Sequence, residues 1–246
     1  MKRIHLAETD STNRYLRELP PGDEELLVVT TDYQTAGRGQ GTNTWESERG
    51  RNLLFSMRMG SQGVPAARQF LLSMAHALAL HEALSRLCTH ISIKWPNDIY
   101  WRDRKMGGTL IEVRVGSQGI RDCIVGTGID VNQTTFLSDA PNPVSLLQVL
   151  GHEVDREQLL AGIIESQTRL LDLLAAGRYA SISQMYHAAL YRREGFFRYR
   201  DSNGEFEARL KRVADDGRLM LVDRDDHQRC YWFKEVQYII YSSIKQ

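Results

Sequence analysis

The sequence predicts an α+β fold with a small all-β unit at its C-terminal end. Up to about residue 190, strand-like runs alternate with stretches of helical periodicity. From Phe196 onward there are only short strand-like runs, "FFRYR", "FEARLKRV", "RLMLV", "CYWF" and "VQYIIY", joined by "DSNG", "ADDG" and "DRDDHQ". Five strands in about fifty residues is the density of a small β-barrel. A chain of 246 residues has room for one medium domain and one small one. The expected division is therefore 1–190 and 191–246.

Each element has a local reason. "RIHLAE" alternates as a strand does. "DSTNRYLREL" offers Asp10 or Ser11 as a cap for a short helix burying Tyr15, Leu16 and Leu19. "LLVVTTDYQ" is a strand running into the glycine-rich loop "TAGRGQGTNTW", and "NLLFSMRM" is the next strand. Pro65 suits the first turn of a helix reaching about Leu87. Strands are expected near 91–95, 98–101, 109–115 and 121–129. Residues 145–190 read as helices, with "LLAGIIESQTRLLDLL" the clearest amphipath.

Composition excludes several classes. Lys+Arg and Asp+Glu both number 31, so no net charge steers the chain to nucleic acid or a membrane surface. No apolar run approaches the ~20 residues of a membrane span. "MKRIHLAETD" lacks the apolar core of a signal peptide. Cys88, Cys123 and Cys230 are far apart and odd in number, which reads as reduced thiols filling a core in a cytoplasmic protein. The histidines form no metal-ligating pattern.

Four short stretches carry chemistry. In "GRGQGT", residues 37–42, the glycines allow close backbone approach to a ligand, and Arg38 supplies fixed charge; a flexible connector explains the glycines equally well. The loop is neither a P-loop nor a dinucleotide fingerprint, because no Gly-Lys-Ser/Thr follows and the next element is a strand. "KWPNDIYWRDRKMGG" places Lys94 and Lys105 where an antiparallel pair brings both to one sheet end. Either lysine alone is explained by snorkelling at a strand end. "DSTN" is accounted for by a helix cap, although its hydroxyls can also face a ligand. "GTGIDVN", residues 126–132, has glycines inside a strand, which signals a bulge or a close approach, and Asp130 or Asn132 can meet a base edge. Trp45 is either core or a stacking platform.

In this order, "DSTN", "GRGQG", "KWPND", "KMGGTLIE" and "GTGIDVN" resemble the biotin protein ligases, and the resemblance covers essentially the whole chain. It implies a central mixed sheet with flanking helices and an SH3-like β-barrel at residues 191–246. It also implies biotin and ATP as substrates, with Mg2+. Biotin would be activated as biotinyl-5′-AMP and then passed to a lysine of a biotin carboxyl carrier protein. By matching position, Ser11, Thr12, Asn13, Gln34, Gly37, Arg38, Gly39, Gln40, Lys105 and Gly108 are similar to the family's biotin-binding residues. Arg38, Trp45, Lys94, Asn97, Lys105 and Asp130 are similar to its nucleotide-binding residues. Lys105 and Arg38 would be catalytic, Asp98 a support near the nucleotide and metal, and no residue is assigned as a metal ligand. The implied form is a ligase without the N-terminal repressor domain that some members carry, binding neither nucleic acid nor membrane, with a homodimer left open.

Two positions depart from the family's pattern. Gln40 stands where a second arginine is common, and Asp130 where asparagine is common. A lipoate or octanoate ligase on a related scaffold, or a non-catalytic biotin or nucleotide binder, remains the alternative.

Overall fold

The computed structural model describes residues 1–20, 25–39, 41, 43–117, 119–137 and 142–240. Two sheets organise them. The first has seven strands: β1 (Lys2–Leu6), β2 (Leu26–Thr31), β3 (Leu53–Met59), β4 (Ile91–Lys94), β5 (Asp98–Trp101), β6 (Arg104–Gly116) and β7 (Gly119–Ile129). Their order is β1-β2-β3-β7-β6-β5-β4. β1 and β2 are parallel and joined through helix α1 (Thr12–Glu18); the other neighbours are antiparallel, so the sheet is mixed.

Its two faces are covered differently. β2 and β3 are buried along their whole length, which is why both read as continuous apolar runs. On one face Leu26, Val28, Phe55 and Met57 pack in one core with α2 (Phe70–Ser85), α4 (Arg156–Ala175) and α5 (Tyr179–Ala188), and α4 reaches the sheet through Gln167 beside Met59. On the other, Leu27, Val29 and Ile124 meet Leu16 of α1. Because α1 is short, it covers only part of that face, and the uncovered part is the floor of a cleft.

α2 is buried almost all round, because the sheet, α4 and α5 all pack against it. Pro65 does not open it. A short 3-10 turn, Ala66–Arg68, intervenes with Pro65 as its cap in extended conformation. α3 (Leu146–Leu150) is short but firmly bounded, with a Ser145/Gln148 capping box at its start and Gly151 in the left-handed region at its end. Asp155 caps α4 by accepting from the Glu157 and Gln158 amides.

The second sheet contains β8 (Phe197–Asp201), β9 (Gly204–Val213), β10 (Leu219–Asp223), β11 (Gln228–Tyr231) and β12 (Gln237–Tyr238), in the order β11-β10-β9-β8-β12 and antiparallel throughout. This agrees with the SH3-like unit expected there. It is tied to the first sheet by the Trp95 indole N–H, which donates to the Gly217 carbonyl at 2.9 Å. The cysteines are less uniform than expected: Cys123 is buried and Cys88 half-buried, but Cys230 is exposed and fills no core. No described helix is long and apolar enough to cross a membrane.

Candidate active site

The uncovered part of the first sheet, α1, the glycine-rich segment and Phe233 from the turn between β11 and β12 enclose a cleft of about 750 Å³. Strand alternation supplies its floor. Ile124, Gly126, Gly128 and Asp130 share one side of β7, and the two glycines fall where α1 and Trp45 come closest. A Cβ at Gly126 would stand 2.1 Å from Asn13 Oδ1, and one at Gly128 2.3 Å from the Trp45 ring. Close approach, not a bulge, is therefore what the glycines of "GTGIDVN" serve. The half-buried Trp45 lies across this strand, and its indole nitrogen is buried without a partner among the described residues.

At one end of the cleft the expectation for "DSTN" is overturned. Ser11 occupies the N-cap position of α1 but makes no side-chain cap hydrogen bond. The polar side chains turn inward instead, so that Thr12 and Asn13 are buried while Tyr15 and Leu19 are only half-buried. Gln34 Oε1 accepts from the Thr12 amide at 2.8 Å and from its hydroxyl at 3.1 Å. Ser56 Oγ lies 2.6 Å from both Thr12 Oγ1 and Asn13 Oδ1. The Asn13 amide nitrogen points to Leu110 O and Glu112, which fixes its oxygen toward Ser56. Thr12 and Ser56 thus bring two hydroxyl hydrogens to three oxygen–oxygen contacts. Within this hydroxyl cluster the acceptor contacts outnumber the hydroxyl hydrogens available.

The charged end is built by the β4–β5–β6 meander. Lys94 pairs with Asp98 across β4 and β5, and Tyr100 with Lys105 across β5 and β6. Lys105 Nζ lies 2.8 Å from Asp98 Oδ1, so the lysine is held and aimed by a carboxylate. Gly108 makes room for the pair: its Cβ would be 3.1 Å from Asp98 Oδ1 and 3.2 Å from Lys105 Nζ. Gly107 abuts the Gly128 carbonyl across the ladder instead. The Lys105 backbone is clamped by Asn142 O on its amide and the Val144 amide on its carbonyl.

Lys94 is not a snorkelling strand-end lysine. Its ammonium stands over Tyr100 at 5.3 Å and over Tyr238 of the second sheet at 5.0 Å. Burial pushes its pKa down; Asp98 opposes this, while Lys105 and Arg192 add to it. Asn97 is buried and donates to Thr109 O at 3.2 Å. Asp130 is 4% exposed, accepts from Asn52 Nδ2 at 3.1 Å, and is held by burial well above the ordinary carboxylate range.

The glycine-rich segment is a narrow hairpin over the described positions. Arg38 bridges Thr44, the Gly39 amide donates to Asn43 O, and the Trp45 amide donates to Gly37 O. Gly37 is buried because the Trp45 carbonyl passes 2.6 Å from where its Cβ would be. Arg38 is exposed at the rim. Gln40 lies outside the described residues.

Ser11, Thr12, Asn13, Gln34, Arg38, Gly39, Trp45, Lys94, Asn97, Lys105, Gly108 and Asp130 all line this one cleft, and Asp98 with them. Gly37 is set back beneath Trp45. Sequence reasoning missed Ser56, Asn52, Thr127 and Phe233. Ser56 alone carried a signal: it is the one small hydroxyl residue in the strand "LLFSMRM". His76 was also missed. It is fully buried, 2.8 Å from Gln167 and 2.7 Å from Thr127, and desolvation lowers its pKa to about 4.

Residues 6–130 match the model of the Biotin/lipoate A/B protein ligase family. A biotin–[acetyl-CoA-carboxylase] ligase of Paracoccus denitrificans is 31% identical over 224 residues, covering 88% of this chain and 92% of that one. The bifunctional ligase/repressor BirA of Bacillus spizizenii is 28% identical, covering 90% of this chain and 69% of its own length. The structure of a biotin protein ligase from Aquifex aeolicus in complex with biotin and ATP superposes with a TM-score of 0.79 at 21% identity, over 97% of this chain and 99% of that one, a likeness of fold.

Proposed function

This chain belongs to the Biotin/lipoate A/B protein ligase family, and from that premise we propose that it is an ATP-dependent biotin protein ligase. Biotin is activated as biotinyl-5′-AMP, and the biotinyl group is then passed to a lysine of a biotin carboxyl carrier protein. We assign residues 1–190 to the catalytic domain that carries most of the site and residues 191–246 to an SH3-like domain, whose Phe233 adds to the cleft wall.

The observation that carries this reading is the chemical asymmetry of one cleft. The acceptor-rich end at Thr12, Asn13, Gln34 and Ser56 suits a ligand with N–H donors, as the ureido group of biotin has. The far end offers Lys105 to an anion. Biotin carries donors at one end and a carboxylate at the other, whereas lipoate and octanoate have no N–H group. The cleft's size and its mix of apolar and polar walls are those of a small-molecule site.

In the first step a carboxylate oxygen attacks the α-phosphorus and pyrophosphate leaves with the β and γ phosphates. ATP enters as its magnesium complex, so Mg2+ belongs to the substrate. Two anions meet, and Lys105 offsets their repulsion and the charge building at phosphorus. Asp98 positions the amine, which keeps further N–H donors for the arriving ligand. Arg38, at the rim, adds charge as the hairpin approaches the phosphate. The enclosed floor limits water at the anhydride. In the second step the acceptor amine attacks the acyl carbon, AMP departs with the bridging oxygen, and the amine loses a proton.

The test is incubation of the purified protein with ATP and either biotin, lipoate or octanoate, following pyrophosphate release and labelling of a carrier domain. Biotin should support both. Turnover with lipoate or octanoate in place of biotin would overturn the substrate, and no turnover with any acid would favour a binding protein.

A further inference from the structure

We propose that Asp130 works as a neutral carboxylic acid with its proton on Oδ2, standing in for an amide at the cleft floor and pairing with a base that offers one donor beside one acceptor, as adenine does. This rests on reading the cleft as a nucleotide site.

The surrounding network decides which oxygen does what. Asn52 Nδ2 has two hydrogens: one goes to Asp130 Oδ1 at 3.1 Å, the other to Gln133 Oε1 at 2.6 Å. The Asn52 oxygen accepts the Val131 amide at 3.0 Å, so the side chain cannot flip without setting a donor against that N–H. Gln133 is fixed too, because its oxygen also accepts the Glu48 amide and its nitrogen donates to Thr135 O. Asp130 Oδ1 is therefore committed as an acceptor. Oδ1 keeps a second lone pair for the cleft, and Oδ2 has no partner among the described residues.

The backbone holds this aim. The Asp130 amide donates to Met106 O at 2.9 Å, and its carbonyl accepts the Leu146 amide at 3.0 Å. Among the described residues no lysine or arginine forms an ion pair with it. Lys105 of β6 favours ionisation but is engaged 2.8 Å from Asp98. Glu46, entering from the segment after the hairpin, disfavours ionisation. Arg51, beside Asn52, is turned to Glu153 at 2.7 Å. Ser145 and Leu146 of α3 bring no charge.

Burial favours the acid over the carboxylate; the Asn52 amide donor and Lys105 oppose this, but Lys105 is occupied by Asp98 and Glu46 adds to the burial. The acid offers an O–H and a C=O, the same pair that asparagine offers. Adenine places an amino donor next to a ring acceptor and matches it. An ionised carboxylate accepts only and would match guanine, which sets two N–H donors side by side.

The experiment uses the full chain. Carboxyl-13C aspartate labelling, with Asp130→Asn to assign the signal, follows its protonation by NMR. Calorimetry from pH 7 upward then measures binding of the α,β-methylene analogues of ATP and GTP with biotin present. Asp130 should be protonated at pH 7. As it ionises, affinity for the ATP analogue should fall about tenfold per pH unit while the GTP analogue gains. Asp130→Asn should show neither pH trend, because its amide has no proton that titrates in this range. An Asp130 signal titrating in the ordinary carboxylate range overturns the proposal whatever the protein binds. A neutral Asp130 in a chain that binds neither analogue overturns the base pairing, and the nucleotide reading with it.

Discussion

Phe55 and Ser56 are neighbours in β3, and each speaks for one face of the first sheet. Phe55 is fully buried beside His76 on the helix side, where shape and volume are what matter. Ser56 is equally buried on the other side but spends its hydroxyl on Thr12 and Asn13 at the cleft. One face is a packed core with His76 as its polar inclusion. The other is part packed and part left open, with glycines where side chains would fill the space. Stability and ligand handling are therefore separable by the parity of a residue along a strand.

The largest expected effect tests the packed face. Phe55→Ala should lose about 3–5 kcal/mol of stability, since a cavity opens between β3 and α2. Urea denaturation measures this, and a loss under 1 kcal/mol would mean that the helix layer is not the core it looks to be.

Lys105→Ala tests the open face. Pyrophosphate release should fall by about two to three orders of magnitude, corresponding to roughly 2.7–4 kcal/mol of transition-state stabilisation. The thermal midpoint should move far less than in Phe55→Ala. Near-parental turnover would remove Lys105 from the chemistry.

His76 sharpens the comparison through pH. Its pKa is depressed to about 4 in the folded state, so the unfolded chain binds the extra proton first as pH falls. The stability held above the ordinary histidine range should decline by about 3 kcal/mol between roughly pH 6.5 and 4. In His76→Gln that part of the acid slope should vanish, while biotin affinity at pH 7 changes little. Equal slopes in the two proteins would show that another group drives the decline.

Gly128→Ala should be the mildest in stability, about 1–3 kcal/mol for a methyl group forced against Trp45. It should nevertheless weaken ligand binding, because the indole must leave the cleft wall. Isothermal titration with biotin checks this; unchanged affinity would mean that Trp45 moves aside freely.

Much of the fold was legible in the sequence because its signals are local. The alternation in "RIHLAE", the apolar runs of β2 and β3 and the turn residues after Phe196 depend on neighbours a few positions away. The glycines of "GTGIDVN" announced a close approach but not what approaches. The candidate site was legible mainly as an ordered set of short motifs. Pro65 misled because a proline favours a first turn without specifying whether it is α or 3-10.

What the sequence by itself determined is the kind of element at each stretch, the change of character near residue 190, and the presence of glycines, lysines and hydroxyls in loops and strand ends. Tertiary structure decided what those side chains do. Thr12 looks like part of a helix cap until Gln34, 22 positions away, claims both its amide and its hydroxyl. Asn13 is set by Glu112, 99 positions away, and Lys94 by a tyrosine of the other sheet. Asp130 is an ordinary aspartate in the sequence, and only its burial in the fold raises it above the carboxylate range. The reason is physical: hydrogen bonds and desolvation act over a few ångströms of space, and in this cleft those ångströms join residues that the chain keeps far apart.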